Sequence, residues 1–403
     1  MKKSYDILIV GGGIIGSSIA YAVSRRSNCS VGVVDVDLSG HWGSSERNAG
    51  GVRATWEQPV NIELSRRSIA FFQGIANEVG FQQKGYLWLY DERGIQRAQD
   101  RLPLYRDAGL GVEVLTVNEI KNRYPLLDGL EGVAAATFSP MDGLINANLL
   151  KSYYRREATQ RGVRFLDRHV VEEIDVQNGT LRVTGLREIV SKEDIEHFLK
   201  TGHLPKQYTP RIEVSAGVMV NAAGAWAPRL AQLYGKTLPS VPVRRQVCIA
   251  HSQEIDLTPY GMFVDTSGLY FHHDGGNILS GYATPREPEG YRFDHDGYDF
   301  FLQEAWPKLA CRSRHFEKLK YLGGWAGLYE VSPDMSAIIG RVEGMRNIFE
   351  AHSFSGRGIM QSYAAGLAIA EMILDGAYQT LNLTQLSGER FAKGQNLPEG
   401  MHI

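Results

Sequence analysis

A short apolar run at residues 5–10 gives way to Gly11-Gly12-Gly13-Ile14-Ile15-Gly16, and residues 14–25 carry on with the apolar and small-residue spacing of a helix. In such a turn each glycine has its own task. Gly11 permits the tight bend, Gly13 lets the backbone approach a pyrophosphate, and Gly16 lets the helix settle onto the strand. The helix opens at Ile14 and Ile15, where unpaired N–H groups and the helix dipole favour negative charge. Residues 30–36 read as a second strand, completing a βαβ unit in about thirty residues. Its acid, Asp35, lies nineteen residues beyond Gly16. A carboxylate there accepts both ribose hydroxyls of an adenosine and repels a 2′-phosphate. Asp37 is the competing acid, set past the strand. The pattern predicts a bound dinucleotide; the plainer alternative is a tight strand–helix turn. Glycines alone do not separate NAD from FAD. The small polar loop Ser44-Ser45-Glu46-Arg47-Asn48-Ala49-Gly50-Gly51-Val52-Arg53 suits a chain wrapped over a pyrophosphate and ribityl tail, or an ordinary surface loop.

Composition removes other classes. The chain has 403 residues, 43% hydrophobic and 22% charged, with a formal net charge of −2. That length buries a sizeable core, and the balance offers nucleic acid or an acidic membrane surface little to bind. Cys29, Cys248 and Cys311 lie far apart, against a disulfide framework or a cysteine-rich zinc site and in keeping with a reducing compartment. No apolar run reaches the ~20 residues of a membrane span, so an integral membrane protein is not expected. The first strand begins almost at once, leaving no room for a leader, which predicts a cytoplasmic protein. His272 and His273 tempt as a metal pair, but neighbours on a strand point to opposite faces, and no metal is expected.

Periodicity predicts helices over 61–78, 93–107, 148–161, 188–200 and 358–374, and one near 300–311. Strands are predicted over 85–90, 163–165, 170–176, 181–184 and 217–221, with a hairpin turn at Asn178-Gly179 and a strand-rich stretch from 241 to 281. Strand–helix alternation at both ends around a strand-rich middle gives a mixed α/β class. The expected division is a discontinuous nucleotide-binding domain (1–85, 142–235 and 323–380) with a sheet domain inserted in it (86–141 and 236–322). A surface insertion (186–212) and a C-terminal tail (381–403) complete it.

Six stretches, in order along nearly the whole chain, carry a resemblance: GGGIIG at 11–16, SSERNAGGVR at 44–53, DGLINANLL at 142–150, VNAAGAWA at 220–227, WAGLYEVSPD at 325–334 and FSGRGIMQSYAAG at 354–366. The chain resembles the D-amino-acid-oxidase-type FAD family, in the branch of sarcosine oxidase and proline dehydrogenase β-subunits. The resemblance implies a Rossmann-like FAD domain, an antiparallel-sheet substrate domain over the flavin face, and non-covalent FAD. It places Ser44, Ser45, Arg47, Asn48, Ala49, Gly50 and Gly51 along the cofactor and Val171 against the adenine. Ala222, Ala223 and Gly224 would pass the dinucleotide, while Gly356, Gly358, Ile359 and Met360 would line the flavin ring. The closing helix then starts at the ring, where its positive end stabilises charge on reduced flavin. Arg357 stands where relatives often have His; it either reinforces that charge or reaches solvent.

The implied reaction is oxidation of the C–N bond of a small amino or imino acid, with hydride passing to the flavin N5. Arg53 falls on the arginine that holds the substrate carboxylate; its alternative is a structural ion pair. Met360 replaces a carboxylate-binding lysine, and Tyr329 an arginine, so half of the clamp is missing or comes from elsewhere, with Arg244 and Arg245 as candidates. Leu279 takes the place of the lysine that helps oxygen accept electrons, which favours a dehydrogenase passing electrons to a protein or quinone. Tyr270, Tyr282 and Tyr329 are pocket candidates or core aromatics. Asn48 stands where some relatives attach flavin through histidine. Two other readings compete: a 2-hydroxy acid dehydrogenase, needing a base for which His41 and His352 are nearest, and a flavoprotein assembly factor for a respiratory complex.

Overall fold

In the computed structural model, which describes residues 4–177, 180–189, 191–204, 212–285 and 287–400, the strand Ser4–Val10 lies inside a sheet and buries Ile7 to Val10. A strand with neighbours on both sides and helices on both faces has no solvent edge, which is why its pattern is continuous rather than alternating. It pairs in parallel with Val31–Val34 on one side and Ile212–Asn221 on the other. Arg164–Leu166 and Ile348–His352 extend the parallel row outward. Antiparallel additions, His169–Val170, Glu173–Gln177, Thr180–Glu188 and Ile338–Arg341, bring this sheet to nine strands among the described residues. The second strand is shorter than predicted, so Asp35 lies just past its end.

The helix Ile14–Arg26 packs against the closing helix Gly358–Leu374 and against Ala147–Gln160. The first contact is close: Ser18 Oγ donates to Ser362 O at 2.8 Å, and a Cβ on Gly366 would run into Ser18. The helix expected over 61–78 is two pieces, Pro59–Gly74 and Ala76–Val79, broken at Ile75. The strand expected over 170–176 is also split, into His169–Val170 and Glu173–Gln177. The two pieces pair with different parts of a strand whose register shifts between Val183 and Leu186.

The second sheet has eight strands among the described residues, running from Lys320–Val331 through Val241–His251, Asn277–Tyr282 and Tyr270–Asp274 to Met262–Val264. Beyond these come Tyr86–Tyr90, Ala135–Ser139 and Glu113–Thr116. It is antiparallel except where Met262–Val264 meets Tyr86–Tyr90 in parallel, joining the two chain segments that build it. Lys320–Val331 runs whole in this sheet, although the division at 323 would cut it. The helix expected near 300–311 contains a π turn, Phe301–Ala305, between Gly297–Phe300 and Trp306–Ala310; Pro307 has no N–H to close an ordinary turn there.

The Asn178-Gly179 turn and part of the 186–212 segment fall outside the described residues. Within that segment the helix is Lys192–Thr201, capped by Ser191, whose side chain accepts the Asp194 N–H. Ile195 and Leu199 bury against Val170 and Ile189, and no described helix is long and apolar enough to cross a membrane.

Candidate active site

Gly11 sits at φ 105, donates its N–H to Val34 O at 2.8 Å, and lies so close to Ala222 that a Cβ would collide with its carbonyl. Gly16 is as tightly set against Gly11. The helix beginning at Ile14 has no side-chain cap from its own N-cap, Gly13. Instead Ser45 Oγ accepts the Ile14 N–H at 2.9 Å, folding the 44–53 loop across the helix start. Asp35 is held by two N–H groups, Gly12 at 2.5 Å and Asp37 at 2.8 Å, while burial raises its pKa against the pull of those donors and Arg155. Arg155 donates to the Gly12 and Leu38 carbonyls, fixing the loop from below.

A cavity of about 660 Å³ starts at this turn, within the range of small-molecule and cofactor sites. Gly11, Gly13, Ile14, Ile15 and Asp35 line its first part, with Val171, Ala222, Ala223 and Gly224. Ser44, Ser45, Arg47, Asn48 and Ala49 form one flank; Tyr270, Tyr329, Gly356, Gly358 and Ile359 close the far end. Gly16 and Gly50 are not in the lining: Gly16 packs the helix, and Gly50 (φ 79) turns the loop beside Ile145. The glycine turn, the helix start with no side-chain cap from its own N-cap residue and the long cavity fit a dinucleotide.

Sequence reasoning missed several lining residues. Trp42 and Trp226 are among them, as are Phe198, Leu199 and Leu204 beside the inserted helix. Trp226 Nε1 donates to Leu199 O at 2.7 Å, and Arg229 donates to the Phe198, Leu199 and Lys200 carbonyls, so the helix end is stitched to the cavity wall. Only the VNAAGAWA stretch hinted at this, since Trp226 lies inside it. Glu330 was also missed. Burial pushes its carboxyl up to about 7, its Oε2 has no partner among the described residues, and His352 and nearby backbone N–H groups only partly oppose the shift.

Beyond the far end lies a compartment of about 60 Å³, sharing Asn48, Ala49, Tyr270, Tyr329 and Gly356 with the large cavity. Gly51, Arg53, Trp56, Tyr86, Met262, Ser355, Arg357 and Met360 complete it. The Arg53 guanidinium lies 3.7 Å from the Trp56 ring centroid and 4.8 Å from that of Trp88, and its Nη1 donates to Thr55 O at 2.9 Å. Burial lowers its pKa, opposed by Tyr86, Glu399 and Asp142. Tyr86, Tyr270 and Tyr329 are all pushed up by burial and keep their hydroxyl protons at neutral pH. Arg357 is a correction to the solvent reading: it is 2% exposed.

Other candidates move out. Arg244 is tied up with Glu287, Asp294 and Asp296, so it is structural. Arg245 lines the large cavity, 5.3 Å from the Tyr329 ring. Tyr282 packs with the other core, under Lys308. Leu279 is buried in the same cluster as Tyr270 and Met360. His352 is enclosed by Glu350 and Ser353, and His41 packs edge-on to Trp42; neither lines either cavity. His272 Nε2 contacts Ala49 O at 2.8 Å, which ties the sheet to the 44–53 loop.

Residues 6–372 match the family described as FAD dependent oxidoreductase. The chain is similar to FAD-dependent oxidoreductase domain-containing protein 1 of Xenopus laevis, 32% identical over 98% of this chain and 84% of that protein. It is 24% identical to the glycine oxidase of Geobacillus kaustophilus (strain HTA426), over 93% of this chain and 94% of the relative. Among solved structures, L-proline dehydrogenase from P. horikoshii is similar with a TM-score of 0.85 and 25% identity, covering 98% of this chain and 100% of that one.

Proposed function

The chain belongs to the FAD dependent oxidoreductase family, and on that footing we propose that it oxidises the C–N bond of a small amino or imino acid of sarcosine, proline or glycine type, as a dehydrogenase rather than an oxidase. FAD, held without a covalent link, supplies the two-electron acceptor. Gly11, Gly13 and the helix start at Ile14 would take its pyrophosphate, and Asp35 its ribose. Ser44 to Ala49 and Gly356 to Ile359 would flank the rest.

One observation carries the reading: the compartment beyond Tyr270 and Tyr329 is small, ring-walled and lined by Arg53, whose guanidinium lies over Trp56, another lining residue. A guanidinium there recognises a carboxylate. Tyr270, Tyr329 and Met360 leave room for only a few atoms beyond that carboxylate. None of the compartment's described lining residues is His, Asp or Glu. Oxidation of an amine draws on the amine's own lone pair, whereas a 2-hydroxy acid needs a base for its hydroxyl proton, so the lining favours the amine. The names of the glycine oxidase and proline dehydrogenase relatives support the same substrate class. Leu279, an apolar side chain in the Tyr270 cluster, supports an acceptor other than oxygen.

Anaerobic mixing of the FAD-loaded protein with proline, sarcosine, glycine, lactate and 2-hydroxyglutarate tests this. At least one amino acid should bleach the flavin, the hydroxy acids should not, and a quinone should reoxidise it faster than air. Arg53→Met should lower kcat/KM by about 100-fold with FAD content unchanged. A panel in which every amino acid leaves the flavin oxidised overturns the proposal.

A further inference from the structure

Arg357 is the N-cap residue of the closing helix Gly358–Leu374, reached through a turn in which Ser353, Ser355 and Gly356 have φ values of 58, 49 and 90. Two serines in the left-handed region are costly, and such strain persists where the surroundings enforce it. The turn is held by the end of the strand Lys320–Val331: Ser355 N donates to Glu330 O at 3.2 Å, and Phe354 N to Glu330 Oε1 at 3.3 Å. Its effect is to turn the Arg357 side chain inward, where its guanidinium lies 4.6 Å from the Trp56 ring centroid.

The guanidinium is only partly satisfied there. Nη1 donates to Met335 O, but Nε and Nη2 are buried and have no partner among the described residues. Those two atoms form the side-on edge of a guanidinium, with parallel N–H bonds at the spacing of a carboxylate's oxygens. Burial lowers the group's pKa to about 10, with Glu399 opposing and the nearby Arg53 charge adding to the fall. The acids whose charge reaches these cations also hold other donors. Glu399 accepts the Glu57 and Gln58 N–H groups and the Asn61 amide, and Asp142 accepts from Ala54 N and Thr55 Oγ1. Arg53 and Arg357 both line the one small compartment, and a buried donor edge without a partner is costly.

We infer that Arg357 is the second arm of an anion clamp, presenting its Nε–Nη2 edge to the same carboxylate that Arg53 contacts, and that it restricts the site to small α-amino and α-imino acids over the corresponding amines. The clamp rests on the proposed substrate class, and it answers what takes the place of the cation that Met360 and Tyr329 do not supply. Arg357 is a specificity-determining residue, and its side chain does not reach solvent.

The test uses the FAD-loaded protein, with Arg357→Met to remove the donor edge and Arg357→Lys to keep the charge without the fork. Binding of the redox-inert anions acetate and tetrahydrofuran-2-carboxylate is measured by calorimetry and by the flavin difference spectrum, alongside anaerobic reduction by proline and pyrrolidine. Arg357→Met should raise the Kd for tetrahydrofuran-2-carboxylate by about 100-fold, with Arg357→Lys recovering about tenfold of that. FAD content should stay constant, and the preference for proline over pyrrolidine should fall in step. Three results overturn the clamp: no anion binding by the unaltered protein, an unchanged Kd in both variants, or loss of FAD in both without a selective loss of anion binding. If proline reduces all three proteins equally, the clamp fails while the oxidation reading stands. If no amino acid reduces the unaltered protein yet the anion still binds through Arg357, the clamp stands and the oxidation reading fails.

Discussion

Glu330 sits at the end of the sheet that faces the cofactor cavity, with Oε2 directed toward Gly224 and no donor to meet it. Its carboxyl titrates near 7 in the folded protein against 4.5 for an unperturbed glutamate, chiefly because burial disfavours the charge. The folded state therefore holds this proton more tightly than the unfolded chain does. Stability falls as pH rises from about 4.5 to about 7 and stays lower above that range. Glu330→Gln should accordingly stabilise the protein by on the order of 2 kcal/mol at pH 8 and by little at pH 5. Thermal unfolding at the two pH values checks this; an equal shift at both would mean that Glu330 does not carry the proton. No residue pattern announced this acid. Its neighbours in WAGLYEVSPD were legible as a family stretch, but its protonation comes from what packs around it. Arg53 and Arg357 make the same point. The first was read from its place in a motif, while the second stood between two roles until its burial beneath Trp56 removed one of them.

Among the elements, the opening strand, glycine turn and helix were legible because their determinants are local: a buried apolar run, then glycine where a side chain would collide, then helical spacing. The inserted helix Lys192–Thr201 was legible as a helix but not as a wall of the cavity. Its amphipathic pattern says that one face is buried, and cannot say against what. That contact is made by Trp226 and Arg229, which bond the last carbonyls of the helix, the groups a helix end leaves unpaired. Replacing both, Trp226→Phe with Arg229→Ala, should loosen the helix and weaken FAD retention by about tenfold, the equivalent of roughly 1.4 kcal/mol. Release of flavin fluorescence on dilution measures it, and retention unchanged from the parent protein would show that the helix end contributes nothing to holding FAD. Element boundaries were less legible. The break at Ile75 and the split after Val170 arise from neighbours in space, which the apolar spacing of residues 61–78 and 170–176 does not encode.

Across the whole molecule, the last segment of the chain folds back to brace the site. Arg390 and Asp334 form an ion pair with side chains 2% and 1% exposed, and Asp334 also accepts the Leu397 N–H at 2.9 Å. Nine residues beyond Arg390, Glu399 accepts the backbone N–H groups that precede the helix Pro59–Gly74, some 342 residues away in sequence. Asp334 is next to Met335, whose carbonyl holds Arg357, so the brace and the compartment share one loop. Removing one partner of a buried pair leaves a charge uncompensated, and Arg390→Met should destabilise the protein by about 3–5 kcal/mol at neutral pH. Asp334 is held below its ordinary pKa with help from Arg390 once burial is overcome, so its contribution is present at neutral pH and fades as pH falls through the acid range. The gap in Tm between variant and parent should therefore narrow on acidification, and a gap independent of pH would point to lost packing alone. The sequence by itself determined the mixed α/β class, the dinucleotide turn and the family, because each is carried by short stretches within which residue spacing is dictated by backbone geometry. Only the tertiary structure decided which arginines share the compartment, what covers the cavity and which acids keep their protons. Those properties depend on burial and on partners hundreds of residues apart, and both exist only once the chain has closed on itself.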